Sequence, residues 1–263
     1  MRNKYCVIGA SQSGKTYYVT NKLIPHIAHD SIILCGQDHN LEEYKKATNK
    51  KVVHYGADGR ECLDRLSSLA NSLSTMKKPR ETLVIFDDFV EPSIIKDKDF
   101  MTLIATCRHV NITIIYVCHS VDIVLTPFMK TNMTHYIICQ YTPSRGFSEF
   151  INSNLHPIIA DEIAHKTREI PTQKALKDRS NELLAEAFTG RYGKLIISVN
   201  DRRYVVVKPV ETVGVPQKKV TQAILWKDYK KKYEKPKQEI EDKKPSPYGV
   251  IPVVDEESDD EGE

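Results

Sequence analysis

The stretch Tyr5-Cys6-Val7-Ile8-Gly9-Ala10-Ser11-Gln12-Ser13-Gly14-Lys15-Thr16 decides the fold. Its last eight residues fit G-x-x-x-x-G-K-[ST], the phosphate-binding loop. The four before them form a short apolar run, which reads as a buried strand. Thr16 to Ile24 carries apolar residues at helical spacing. The loop therefore sits between a strand and a helix N-terminus. Glycines let the backbone turn so that successive N–H groups converge on one anion, and the helix start adds unsatisfied donors. In this reading Gly9, Ala10, Ser11, Gln12, Ser13, Gly14, Lys15 and Thr16 cradle the nucleotide phosphates of ATP. Lys15 reaches the β- and γ-phosphates, and the Thr16 hydroxyl binds Mg²⁺.

Downstream, Thr82-Leu83-Val84-Ile85-Phe86-Asp87-Asp88-Phe89 is a continuous apolar run closed by two carboxylates. It predicts a buried parallel strand with acids at its C-terminal end, the edge of open α/β sheets where ligands bind. Asp87 suits the Walker-B role on the metal. Asp88 suits a base or water-positioning residue beside the γ-phosphate. Further strands are expected at Ser31–Gly36, Val52–Tyr55, Asn111–Cys118 and Thr134–Gln140. Helices are expected at 41–47, 61–76 and 99–107, and 144–190 reads as mainly helical. Pro127 interrupts the stretch before the strand at 134. Leu195–Val199 and Tyr204–Val207 read as a β-hairpin. Alternation of strands and helices predicts an α/β fold: a P-loop NTPase with a mostly parallel central sheet, helices on both faces and a late hairpin at one edge.

Composition bounds the rest. The chain has 263 residues, 40% hydrophobic and 28% charged, enough for one sizeable core. No run approaches the ~18 apolar residues of a membrane span. The N-terminus runs into a core strand rather than a signal sequence. The six cysteines form no C-x-x-C pair and read as reduced, buried thiols. Net charge is +3, but seven of the 35 acids fall within 255–263, which leaves 28 acids against 38 bases elsewhere. A basic body with an acidic tail suits a polyanionic partner, or solubility alone. Residues 1–208 read as one ATPase domain. Residues 209–263, rich in lysine and proline before the acidic run, read as a tail largely unfolded in isolation.

The segment Arg108-His109-Val110-Asn111-Ile112-Thr113-Ile114-Ile115, with a polar residue at 119, gives a strand that follows the Walker-B strand and ends in a sensor position. With the two Walker elements it resembles the FtsK–HerA superfamily, and within it the genome-packaging ATPases of poxviruses, other large DNA viruses and virophages. The resemblance covers roughly residues 4–140, more loosely to 207. It implies a ring-forming homo-oligomer that threads double-stranded DNA into a capsid in the host cytoplasm, with a capsid protein as a further partner. It implies Lys15 and Thr16 on nucleotide and metal, Asp87 on the metal and Asp88 at the attacking water. Arg108 is then the finger reaching a neighbouring subunit's nucleotide, and His119 the γ-phosphate sensor, where the family usually has glutamine. An arginine at that helix end also stabilises the helix by itself; His109 reads as a packing residue. Arg145, Arg202 and Arg203, and the lysines of 218–244, are candidate DNA contacts.

Two other classes stay open from the residues alone. A small-molecule phosphotransferase usually carries a compact Arg-rich lid, and none is visible. A nucleotide-gated adaptor would keep the loop without turnover. The N-K-x-D element by which a GTPase reads guanine is not visible after a core strand.

Overall fold

A computed structural model describes residues 3–89, 92–121, 126–140, 144–188 and 192–208. The predicted tail, 209–263, lies outside the described residues.

Eight strands form one sheet: β1 (Lys4–Ile8), β2 (Ser31–Gly36), β3 (Lys51–Gly56), β4 (Thr82–Asp87), β5 (Ile112–Cys118), β6 (His135–Ile138), β7 (Lys194–Ser198) and β8 (Arg203–Val207), in the order β3-β2-β4-β5-β1-β6-β7-β8. Pairings among β1 to β6 are parallel, and β7 and β8 add antiparallel at one edge. The continuous apolar runs become the central strands because both faces are covered; every residue of β4 and β5 is buried. β5 is inserted between the loop strand β1 and the Walker-B strand β4.

The helices are α1 (Lys15–Tyr18), α2 (Leu41–Lys46), α3 (Gly59–Ser74), α4 (Pro92–Ile95), α5 (Lys98–Thr106), α6 (Pro127–Asn132), α7 (Arg145–Asn154), α8 (His156–Thr167) and α9 (Gln173–Ala187). One face of the sheet packs against α3 to α9, with Leu66, Phe100, Met129, Phe150, Ile159 and Leu184 in a single core. The other face is closed by α1, its continuation and α2, through Val19, Leu23, Ile24 and Tyr44 against Val7, Leu34, Ile85 and Val117. Burying each such side chain contributes about 1.5–3 kcal/mol before the entropy of ordering it.

Two local expectations need correction. Pro127 starts a helix rather than interrupting one: it occupies the first turn of α6, where its missing N–H costs nothing, and the Thr126 hydroxyl accepts from Met129 N–H at 3.3 Å. The loop helix is not regular to Ile24. After α1 it widens into a π turn over Val19–Leu23, then tightens at Ile24–His26 around Pro25. The Thr20 hydroxyl donates to Thr16 O (2.9 Å) and Tyr17 O (3.2 Å), competing with the ladder at the point where it widens.

The six cysteines are free and buried, as the sequence implies. Among the described residues no helix is long and apolar enough to cross a membrane.

Candidate nucleotide site

The loop leaves β1 with Gly9 N–H donating to Cys118 O at 3.2 Å. A side chain at Gly9 would put its Cβ 2.5 Å from Ser13 Oγ and 3.1 Å from Gln140 N, so the turn closes only over glycine. Gln12 and Gly14 take left-handed backbone, φ 62° and 82°. The loop folds around Lys15, only 6% exposed. Its ammonium donates to Gly9 O (2.9 Å) and Ala10 O (3.1 Å) and to His119 Nδ1 at 3.2 Å. Ser13 Oγ is buried without a partner. Thr16 follows in α1, half-buried.

Asp87 ends β4 and is 3% exposed. Its Oδ2 accepts from Asn40 Nδ2 and from Tyr44 Oη, each at 2.9 Å, while Oδ1 is buried and unpartnered. Burial raises the carboxyl's pKa, against the two donors that favour its charged form. The Tyr44 phenol is pushed well up, by burial first and by the Asp87 charge second. The end of β2 must pass close by. A Cβ on Gly36 (φ 141°) would stand 2.1 Å from Asp87 O, so glycine is obligatory there. The chain then turns through Asp38–Asn40 into α2, which lays Asn40 and Tyr44 over the carboxylate. Sequence reasoning missed both residues. The one available signal was an apolar pair, Leu41 and Tyr44, at helical spacing in an otherwise polar segment.

Asp88 leaves the strand in left-handed backbone, φ 49°, held by its N–H on Val117 O at 3.3 Å. His119 Nε2 lies 2.9 Å from Asp88 Oδ1, within ion-pair range, yet at an angle that leaves this oxygen without a true donor. A lysine ammonium only donates, so His119 Nδ1 accepts. Lys15, His119 and Asp88 thus form one chain of contacts across β1, β5 and β4.

Arg108 is not part of this cluster. It lies exposed in the single turn Cys107–Val110 before β5, its Nε on His109 Nε2 at 3.2 Å. The seven residues of β5, about 20 Å of strand, separate it from His119. It cannot serve its own chain's nucleotide. Arg145, Arg202 and Arg203 pair with Glu149 (2.8 Å), Asp161 (2.6 Å) and Asp201 (3.2 Å). The lysines of 218–244 lie outside the described residues.

A mostly parallel sheet with a P-loop after β1, paired acids at the end of β4 and an inserted strand between them defines a P-loop NTPase of the added-strand class. Residues 2–152 match the family model described as Poxvirus A32 protein, and the chain belongs to that family. Among solved structures it is similar to the genome packaging NTPase B204 from Sulfolobus turreted icosahedral virus 2 in complex with AMPPCP (17% identity, TM-score 0.54, covering 79% of this chain and 98% of that one). The same protein in complex with ATP-gammaS matches with 17% identity and TM-score 0.54, covering 80% and 98%. The DNA-packaging ATPase B204 from Sulfolobus turreted icosahedral virus matches with 16% identity and TM-score 0.53, covering 80% and 98%. A search of curated proteins returns no match. At these identities the structures speak to the fold.

Proposed function

We propose that this chain is an ATP-hydrolysing motor that moves double-stranded viral DNA into a capsid. The observation that carries the reading is the contact chain Lys15–His119–Asp88, which ties the phosphate loop to the acidic end of the Walker-B strand across one inserted strand. Family membership and the nucleotide complexes of the B204 neighbours support the same reading.

The residues fit a magnesium–triphosphate. Asp87 Oδ1 is a bare, buried oxygen, and the Thr16 hydroxyl is a second hard donor. Magnesium commonly takes one or two protein ligands and the rest from phosphate and water. Asp87 and Thr16 would hold the magnesium, which when bound would neutralise the charge developing on the transferring phosphoryl group. Asn40 and Tyr44 hold the Asp87 carboxylate so that only one oxygen is offered. Lys15 exchanges Gly9 O, Ala10 O and His119 for phosphate oxygens. His119, released from Lys15, has Nδ1 free to accept from the water, or, once protonated there, to donate to a γ-phosphate oxygen. Asp88, clamped in strained backbone, orients the attacking water and accepts its proton.

Arg108, exposed at the opposite edge, serves as the finger for a neighbour's nucleotide in a homo-oligomeric ring, stabilising the charge spread over the transferring phosphoryl group. The motor works in the cytoplasm of the infected cell, with DNA held through its phosphates and a capsid protein as its anchor. The test is ATP hydrolysis by purified protein with and without duplex DNA. Turnover should rise with DNA and vanish in Lys15→Ala. No turnover at concentrations that allow assembly contradicts the proposal.

A further inference from the structure

Tyr192 precedes β7 and lies on the same sheet edge as the loop: Leu195 pairs with Ile138, and Ile138 pairs with Ile8, the residue before Gly9. A Cβ built on Gly14 would meet Tyr192 Cδ1 at 2.8 Å, so the ring rests against the loop backbone, and a larger residue at 14 would displace it. Tyr192 nevertheless remains 56% exposed. Its backbone is left-handed, φ 68°, a region aromatic residues avoid. The strain is held by Lys194, only 4% exposed, whose ammonium donates to Tyr192 O at 2.9 Å and sits 5.3 Å from the centre of the Tyr18 ring.

A buried cation, fixed over one aromatic ring, therefore holds a second ring at the loop with much of its surface in water. Such a ring meets a partner at little entropic cost, because its position is already set. The loop grips phosphates through backbone amides and Lys15, and the base of the nucleotide has to lie beyond the phosphates, outside the loop. A flat, pre-positioned phenol beside Gly14 matches a π-face.

We propose that Tyr192 is the platform on which the nucleobase of bound ATP stacks. This rests on the reading of Gly9–Thr16 as the triphosphate site. Tyr17, 61% exposed on α1, is the competing ring; among the described residues no hydrogen bond of its side chain and no strained backbone hold it in place.

The test measures binding of ATP and of inorganic tripolyphosphate to the full chain by calorimetry, for wild type, Tyr192→Phe, Tyr192→Ala and Tyr17→Ala. Tyr192→Ala should weaken ATP roughly tenfold, the scale of one base–aromatic stack, and leave tripolyphosphate unchanged. Tyr192→Phe should keep wild-type affinity for both. An equal loss for both ligands in Tyr192→Ala, no loss, tighter ATP binding, or a loss that appears in Tyr17→Ala instead overturns the platform. A wild type that binds tripolyphosphate as well as ATP also overturns it and leaves the phosphate site standing. A wild type that binds neither removes the phosphate site and the platform together.

Discussion

The two edges of the sheet are built to opposite standards. At the C-terminal edge, Ser13 Oγ, Asp87 Oδ1 and Asp88 Oδ1 are three of the four buried side-chain polar atoms left without a partner among the described residues. Gln12, Gly14, Asp88 and Tyr192 are all left-handed there. The fourth unpartnered atom, Tyr136 Oη, belongs to the second residue of β6. At the N-terminal edge four polar side chains, Lys4, Thr134, Asn111 and Ser198, are satisfied. Lys4 is buried, yet its ammonium reaches Ile104 O (2.8 Å) and Asn132 Oδ1 (3.4 Å). Thr134 Oγ1 accepts from Lys4 N–H and donates to Lys4 O. Asn111 is also left-handed, φ 56°, but its amide donates to Pro79 O at 2.9 Å and its carbonyl accepts from Thr82 N–H. Ser198 ties Asp201 (2.8 Å) to His135 (3.2 Å). Unmet buried polar atoms cost about 1–3 kcal/mol each. A fold that carries three of its four on one edge has its binding surface there.

The strongest challenge to that contrast is Arg108, which is proposed to act from the closed edge on another chain. Arg108→Ala should lower turnover by about 10³–10⁵ while nucleotide binding and assembly persist. Mixing Arg108→Ala with Lys15→Ala should restore part of the activity, because some interfaces then pair an intact loop with an intact arginine. No recovery on mixing breaks the shared-site proposal. Next in size, Asp88→Asn should lower turnover by about 10²–10³ and leave ATP bound, read by single-turnover kinetics.

Tyr44→Phe sharpens the contrast at the working edge. It removes one of two donors that aim the Asp87 carboxylate. The magnesium concentration for half-maximal turnover should rise about tenfold, the usual cost of losing an outer-shell partner, with little loss at saturating metal. At the closed edge, Asn111→Ala should cost about 1–2 kcal/mol of stability in urea titrations, from a strained backbone and a lost hydrogen bond, without changing turnover per folded molecule. The smallest effect is with pH. Burial lowers the pKa of His135 and of His156, which is itself buried and 3.3 Å from Ser180 Oγ. Their folded values lie below the unfolded value near 6.5, so the unfolded chain binds protons first. Stability is full above pH 6.5 and falls on acidification through the folded values. Urea midpoints at pH 7.5 and 5.5 should differ in that sense, and His135→Gln should narrow the difference.

The fold was legible where burial on both faces made a strand continuously apolar, as in Leu83–Phe86 and Ile112–Cys118, and where one motif forced strand, turn and helix into sequence. The hairpin was legible from two apolar runs on either side of the polar stretch Asn200–Arg203. The loop side of the site was visible in Gly9–Thr16, and the paired acids in Asp87 and Asp88. What sequence could not show depends on residues far apart in the chain. Gly36 is needed because Asp87 O passes over it, and Gly14 because Tyr192 does. Asn40 and Tyr44 reach Asp87 across more than forty positions. Of these only Gly14, through the loop motif, and Tyr44, through its spacing from Leu41, leave a local pattern, and neither pattern shows the distant partner. Pro127 misled because proline breaks a helix interior and starts a helix equally well; only its capping by Thr126 decides between the two.

Backbone hydrogen exchange with and without magnesium and a slowly hydrolysed ATP analogue tests the contrast most directly. Protection should appear at 9–16, at 87–89 and at 118–119 in dilute, unassembled protein, and be absent at 108–112 and 198–202. Protection confined to the second set, or none at the first, contradicts the account.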